Sequence, residues 1–228
     1  MGMRMSHQQP LIIEVVSDVV CPWCFIGLRR LARAVDIVRA EVPDFRYELR
    51  WRPFFLNPDT PAVGEPYLPF LVQKFGSRAQ VEGIWQRIRD IGAPLGIDYH
   101  FEKIQVRANT LAAHRLIHWA QQRGDASGLV EGLFKAQFEQ GENVGDRLVL
   151  ARLAVACGHD PATVLAYLDS DEDAATVLQM ERESRSWGVS SVPTFVFARQ
   201  SGIQGAEEPR VLADGIKQAW AEAEGWGT

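Results

Sequence analysis

Apolar residues change their spacing several times along the chain. Leu11-Ile12-Ile13-Glu14-Val15-Val16 is a short, nearly continuous apolar run rich in β-branched residues, the pattern of a strand covered on both faces. From Phe25 the period lengthens: Phe25, Leu28, Leu31, Ala32, Val35 and Val38 recur at helical spacing, with Arg29, Arg30, Arg33 and Arg39 between them. Pro43 closes that helix. Phe45, Tyr47, Leu49 and Trp51 then alternate with Arg46, Glu48, Arg50 and Arg52, which predicts a strand with one wetter face that stops at Pro53. The first part of the chain therefore spells β-α-β.

Five prolines between Pro53 and Pro69 mark a loop-rich junction. From about Tyr67 to Trp187 the pattern is almost entirely helical. Val81, Ile84, Trp85, Ile88 and Ile91 share one face, and Leu129, Leu133 and Ala136 share another. Asn109 is a cap for a helix beginning at Thr110, Asp160-Pro161 is a cap followed by proline at the first helical position, and Trp187-Gly188 reads as a helix end. Strand character returns at Thr194-Phe195-Val196-Phe197, followed by a turn at Arg199 to Gly202 and a helix over Pro209 to Trp220. Neither flank makes a sheet alone, but two parallel strands plus a returning hairpin would make one α/β layer. The expected division is thus 10–56 with 188–224 as one unit and 57–187 as an inserted helical block. There is no internal repeat and no low-complexity tract.

Charge narrows the partners. With 24 Lys and Arg against 29 Asp and Glu, the net charge of −5 argues against a general nucleic-acid or anionic-lipid binder. No apolar run approaches the length of a membrane span. Met1 to Pro10 has one Arg and no hydrophobic core of a leader, which points to a cytoplasmic protein. Three cysteines, at 21, 24 and 157, are too few and too uneven for a disulfide-stapled scaffold, so in a reducing compartment the close pair is catalytic or metal-binding.

Cys21-Pro22-Trp23-Cys24 follows a buried strand and opens a helix. Free N–H groups and the positive end of the helix dipole there stabilise a thiolate on Cys21, and Pro22 suits the first turn because its missing N–H had no partner to lose. Cys24, one turn on and nearer the core, is placed to resolve a mixed disulfide formed at Cys21. The competing readings are a packed pair of small apolar residues or half of a zinc site. Zinc would require two further ligands, and the only spaced histidines, His114 and His118, lie in the helical block, so no metal is expected.

Ser190-Ser191-Val192-Pro193-Thr194 places a proline directly before a strand and after a helix end, where a cis peptide often sits, although proline statistics alone favour trans. Taken together, this order of elements resembles the thioredoxin fold in its DsbA-type arrangement. Asp18 to Gly27, Pro53-Phe54-Phe55-Leu56-Asn57-Pro58, Asn109 to Leu116, Gly188 to Phe195 and the late Gly205-Ala206 resemble the FrnE-like branch of DsbA proteins, over about residues 11 to 222. The resemblance implies a thioredoxin fold with a large helical insertion. It also implies thiol-disulfide oxidoreductase activity, and a cis-Pro loop in which Val192 and Pro193 face Cys21 and hold the substrate chain through the backbone. An acidic residue assisting the buried cysteine is a further family feature. Glu14 is the nearest candidate, although it stands seven rather than six positions before Cys21; Asp18 could instead cap or bond the active-site loop.

Several other residues enter as candidates. Trp23 should be exposed beside the reacting sulfur, offering an apolar face. Asn57 and Arg115, with the Val192 backbone, could bind glutathione as a co-substrate, and His114 could meet an acidic group or simply pack at a helix margin. Cys157, at the end of an apolar helix, is expected to be a small buried residue. The related 2-hydroxychromene-2-carboxylate isomerases and kappa-class glutathione transferases resemble the same architecture, so a glutathione-dependent isomerase or transferase is the alternative function, and a partner-binding module the third. No cofactor beyond a Cys21-Cys24 disulfide is expected, the partners being thiols or disulfides, of proteins or small molecules. Monomer and homodimer are equally compatible with the sequence.

Overall fold

The computed structural model describes residues 9–225. Residues 1–8, most of the segment read for a leader, and 226–228, which include Trp226, lie outside the described residues. β1 (Leu11–Ser17) is a central strand, with α1 (Pro22–Glu41) leading to β2 (Tyr47–Pro53). β2 runs parallel to β1, from Leu11 opposite Tyr47 to Ser17 opposite Pro53. At the far end of the chain, β5 (Thr194–Phe197) pairs antiparallel on the other side of β1, and β6 (Ser201–Gln204) completes the hairpin before α9 (Pro209–Gly225). The order β2-β1-β5-β6 is the single layer expected from the strand patterns.

The alternation of β1 sorts its side chains between two layers. Ile13 and Val15 join Phe25, Leu31, Phe195, Phe197, Leu212 and Ile216 in the main core, while Val16 packs with Phe54, Val189 and Val196 on the opposite face. α1 and α9 pack against each other and α9 against β1 and β5; α4 (Leu111–Gln121) and α8 (Ala174–Ser186) lie against β2. β2 is an edge strand, and the Gln121 amide behaves like one residue of a further strand: it accepts from the Trp51 N–H at 3.0 Å and donates to the Trp51 carbonyl at 3.1 Å.

Between β2 and β5 the chain is helical, as its apolar spacing predicts: α2 (Tyr67–Phe75), α3 (Arg78–Gly92), α4, α5 (Ser127–Lys135), α6 (Arg147–Ala156), α7 (Pro161–Leu168) and α8. A pair of two-residue strands, β3 (Glu65–Pro66) and β4 (Val106–Arg107), is too short to leave a periodic trace. Asp160 caps α7 by accepting from Thr163 N–H, and Gly188 adopts φ +88° after α8. α4 starts one residue later than expected: Asn109 Oδ1 accepts from Leu111 N–H, and its amide donates to the Thr60 carbonyl, tying the helix start to the proline-rich loop. Cys157 departs from its expected burial. It sits one position beyond α6 and is exposed, because the buried arc of that helix is Leu150, Ala151, Leu153 and Ala154, and the chain has turned outward by Val155. No helix among the described residues is long and apolar enough to cross a membrane.

Candidate active site

β1 ends and α1 begins within five residues, which places Cys21 at the helix N-cap and Pro22 in the first turn. The Cys21 N–H donates to the Asp18 carbonyl at 3.0 Å, and the Cys24 N–H to the Cys21 carbonyl at 3.0 Å, fixing a tight corner. Both cysteines are free thiols. Cys21 is only 4% exposed, while Trp23 between them is 39% exposed. Tyr99 donates its hydroxyl to the Pro22 carbonyl at 2.6 Å, tying the corner to the helical block.

The Val192–Pro193 peptide is cis, and the Cys21 thiol points at the Val192 carbonyl with Sγ 3.8 Å from the oxygen. This approach depends on Gly27. A Cβ there would meet Pro193 Cγ at 2.8 Å and Phe195 Cζ at 3.1 Å, so any other residue would push the proline loop off α1.

Burial pushes the Cys24 thiol well above the ordinary cysteine range; the hydrogen bond to Cys21 and its charge act in the same direction. Asp18 acts on Cys24 twice, its backbone bonding in favour of the thiolate and its carboxylate charge opposing it. That carboxylate is buried. Oδ2 accepts from Leu56 N–H at 2.9 Å, and Oδ1 lies 3.3 Å from His114 Nε2. His114 is itself buried, its ring edge-on to Phe55.

Two of the anticipated residues lie elsewhere. Glu14 is buried, but its carboxylate accepts from Arg52 at 3.2 Å and from Arg199 at 3.0 and 3.1 Å, away from Cys24. The one-position offset explains this, since the sixth residue before Cys21 is Val15, which faces α1, and a strand sends its neighbour Glu14 to the opposite face. Arg115 does not reach the cysteines either. Its guanidinium donates to the Glu172, Tyr167 and Ser170 carbonyls, closing the end of α7. Asn57 does lie beside Cys21, on the wall of a cavity of about 250 Å³ that Trp23 and Val192 also line.

The far wall of that cavity is aromatic and aliphatic: Tyr67, Phe70 and Leu71 of α2, Ile84 and Trp85 from the apolar face of α3, and Phe101, of which the α2 residues and Phe101 were not expected at a site. The one available signal was excess. α2 carries Tyr67, Leu68, Phe70, Leu71, Val72 and Phe75, yet only Leu71 is fully buried. Arg107 closes one side, paired with Asp59 at 2.9 Å and with Glu65, its guanidinium 3.8 Å from the Phe70 ring centre. Among the described residues, no three His, Cys, Asp or Glu side chains gather in a way that could hold a metal ion.

The fold recurs in known proteins. A probable DsbA oxidoreductase from Streptomyces coelicolor is 30% identical, with 93% of this chain and 91% of that one covered and a TM-score of 0.85. The fold is shared at lower identity by a 2-hydroxychromene-2-carboxylate isomerase (15%; 95% and 100% covered; TM-score 0.64) and by the cytosolic disulfide reductase DsbM of Pseudomonas aeruginosa, solved with glutathione (16%; 94% and 98% covered; TM-score 0.59). The DSBA-like thioredoxin domain matches residues 12–217. With the paired cysteines at a strand-to-helix corner and nearly the full length matched, the chain belongs to the DSBA-like thioredoxin domain family.

Proposed function

We propose that the chain is a thiol-disulfide oxidoreductase whose redox centre is the Cys21/Cys24 pair. The observation that carries this reading is the placement of a free Cys21 thiol at the N-terminus of α1, facing the Val192 carbonyl, with a second free thiol buried one turn behind it. Cys21 attacks a substrate disulfide, one substrate thiolate leaves, and a mixed disulfide remains. Cys24 sulfur then attacks Cys21 sulfur, the bond to the substrate breaks, and the second thiolate leaves. Cys24 must lose a proton that its burial holds tightly. The Asp18–His114 pair takes that proton and passes it towards the departing thiolate, the role first sought at Glu14. Val192 and Pro193 hold the substrate backbone opposite Cys21, and Asn57 and Trp23 border the entry.

Glutathione fits the scheme as the thiol that recycles the pair in a cytoplasmic setting, as suggested by the shared fold of a glutathione-bound disulfide reductase. The second reading, a glutathione-dependent isomerase or transferase, draws on the fold shared with the isomerase. It needs no second cysteine, so turnover surviving Cys24→Ser with glutathione essential would favour it.

The deciding experiment is a redox titration in glutathione buffers, followed by tryptophan fluorescence and by peptide mass of the Cys21–Cys24 linkage. A two-electron transition is expected, between the thioredoxin-like value of about −270 mV and the DsbA-like value of about −120 mV. Disulfide exchange undiminished in Cys21→Ser would overturn the assignment.

A further inference from the structure

A cavity with a largely aromatic far wall lies beside Cys21. It has a volume of about 250 Å³ and is bounded by Cys21, Trp23 and Val192 on one side and by α2, α3 and Phe101 on the other. Asn57, Lys74, Arg107 and Gln137 are the polar part of an otherwise apolar lining. An apolar cavity of about 150 Å³ accommodates a benzene ring, so this one takes a substituted ring or a fused pair. Its aromatic wall is ordered: Trp85 stacks nearly parallel between Tyr67 (8° between planes, centroids 6.4 Å apart) and Phe101 (9°, 5.6 Å). Parallel ring faces suit another flat ring. The volume suits a side chain or a small molecule better than a folded or extended polypeptide segment, and Cys21, only 4% exposed, is part of its wall.

We infer that the cavity receives a flat aromatic group carried on the sulfur of a small-molecule disulfide, which Cys21 then cleaves. This rests on the oxidoreductase reading and adds the substrate class to it. The electrons balance within the protein: the Cys21/Cys24 dithiol is oxidised to its disulfide while the aryl disulfide is reduced to two thiols. The first leaves when Cys21 attacks, and the second when Cys24 resolves the mixed disulfide and surrenders its proton.

The test is a single turnover of the pre-reduced full chain with three probes: dithiodipyridine, bis(hydroxyethyl) disulfide, and a disulfide-linked dimer of a short cysteine peptide. Each rate constant is divided by that of free mercaptoethanol with the same probe, which removes intrinsic reactivity. The aromatic probe should then be favoured at least tenfold over both others. Ile84→Trp, which fills the cavity, should cut the aromatic-to-hydroxyethyl ratio at least tenfold, a ratio in which any general loss of activity cancels. Equal normalised rates in the unaltered protein, a ratio untouched by folded Ile84→Trp, or preference for the peptide would each overturn the inference while leaving the oxidoreductase reading standing. Cleavage of none of the probes would instead bring down that reading and the inference with it.

Discussion

Two carboxylates at one end of the central strand are buried to the same degree, Glu14 and Asp18 each being 1% exposed, and they live in opposite electrostatic settings. Glu14 is fully compensated. Arg52 and Arg199 both donate to it, both guanidiniums lie over the Trp187 ring at 4.3 and 5.2 Å, and Arg52 is further held by Glu183 and Ser184. Asp18, among the described residues, has only His114 as an ion-pair partner, together with the backbone N–H of Leu56. Glu14 therefore belongs to a closed ion-pair network, whereas Asp18 faces a single imidazole, His114 Nε2 lying 3.3 Å from Oδ1, and its charge is felt at the buried Cys24 thiol. The same side-chain chemistry thus serves as a staple at one position and, in the proposed scheme, as a proton acceptor at the other, and the difference lies in the neighbours.

The contrast is sharpest in Asp18→Asn. Removing the acceptor should slow resolution of a Cys21 mixed disulfide about a thousandfold, within the usual range for a general base, with the initial attack by Cys21 much less affected. Stopped-flow release of the second substrate thiol reads the step. His114→Gln should shift the pH profile of that same step, which loss of a merely structural contact would not do. Glu14→Gln should behave in the reverse way, costing about 2 kcal/mol in denaturant unfolding because Arg52 and Arg199 both lose the carboxylate they share, Arg52 keeping Glu183, while resolution stays near normal. If Glu14→Gln slowed resolution as much as Asp18→Asn, the division of labour would collapse.

A pH series tests the Cys24 environment. Its thiol is raised in the folded state, so its contribution to stability is complete below the unfolded thiol pKa of about 8.5 and declines above it by about 1.4 kcal/mol per pH unit, until the folded value is reached. Reduced protein should therefore lose more stability between neutral and alkaline pH than Cys24→Ala does; parallel losses would mean that Cys24 is not desolvated. The smallest effect is expected from Arg199→Ala. Its side chain is 59% exposed, and Arg52 remains on Glu14, so the loss should stay below about 1 kcal/mol and diminish further in salt.

Much of the architecture was legible in advance because each part leaves a local mark. The apolar run of β1, the helical spacing from Phe25, the Asp160 cap and the Trp187-Gly188 stop each follow from residues adjacent in sequence. The cysteine pair was legible for the same reason, since its chemistry depends on four consecutive residues at a strand-to-helix corner. Glu14, Arg115 and Cys157 were not. A carboxylate, a guanidinium or a thiol looks alike wherever its partners are, and here those partners are Arg199, the carbonyls ending α7, and solvent.

By itself, then, the sequence determined the order of elements, the sheet they build and the position of the two thiols at a strand-to-helix corner, because period, capping and the cysteine spacing act over a few residues. Only the tertiary structure decided that Glu14 meets Arg52 and Arg199 while Asp18 meets His114 from the helical block, and that α2 and α3 wall an aromatic cavity beside Cys21. Those outcomes depend on contacts between residues tens of positions apart. For Glu14 the alternation of β1 adds to this, since a single step along a strand sends a side chain to the other face of the sheet.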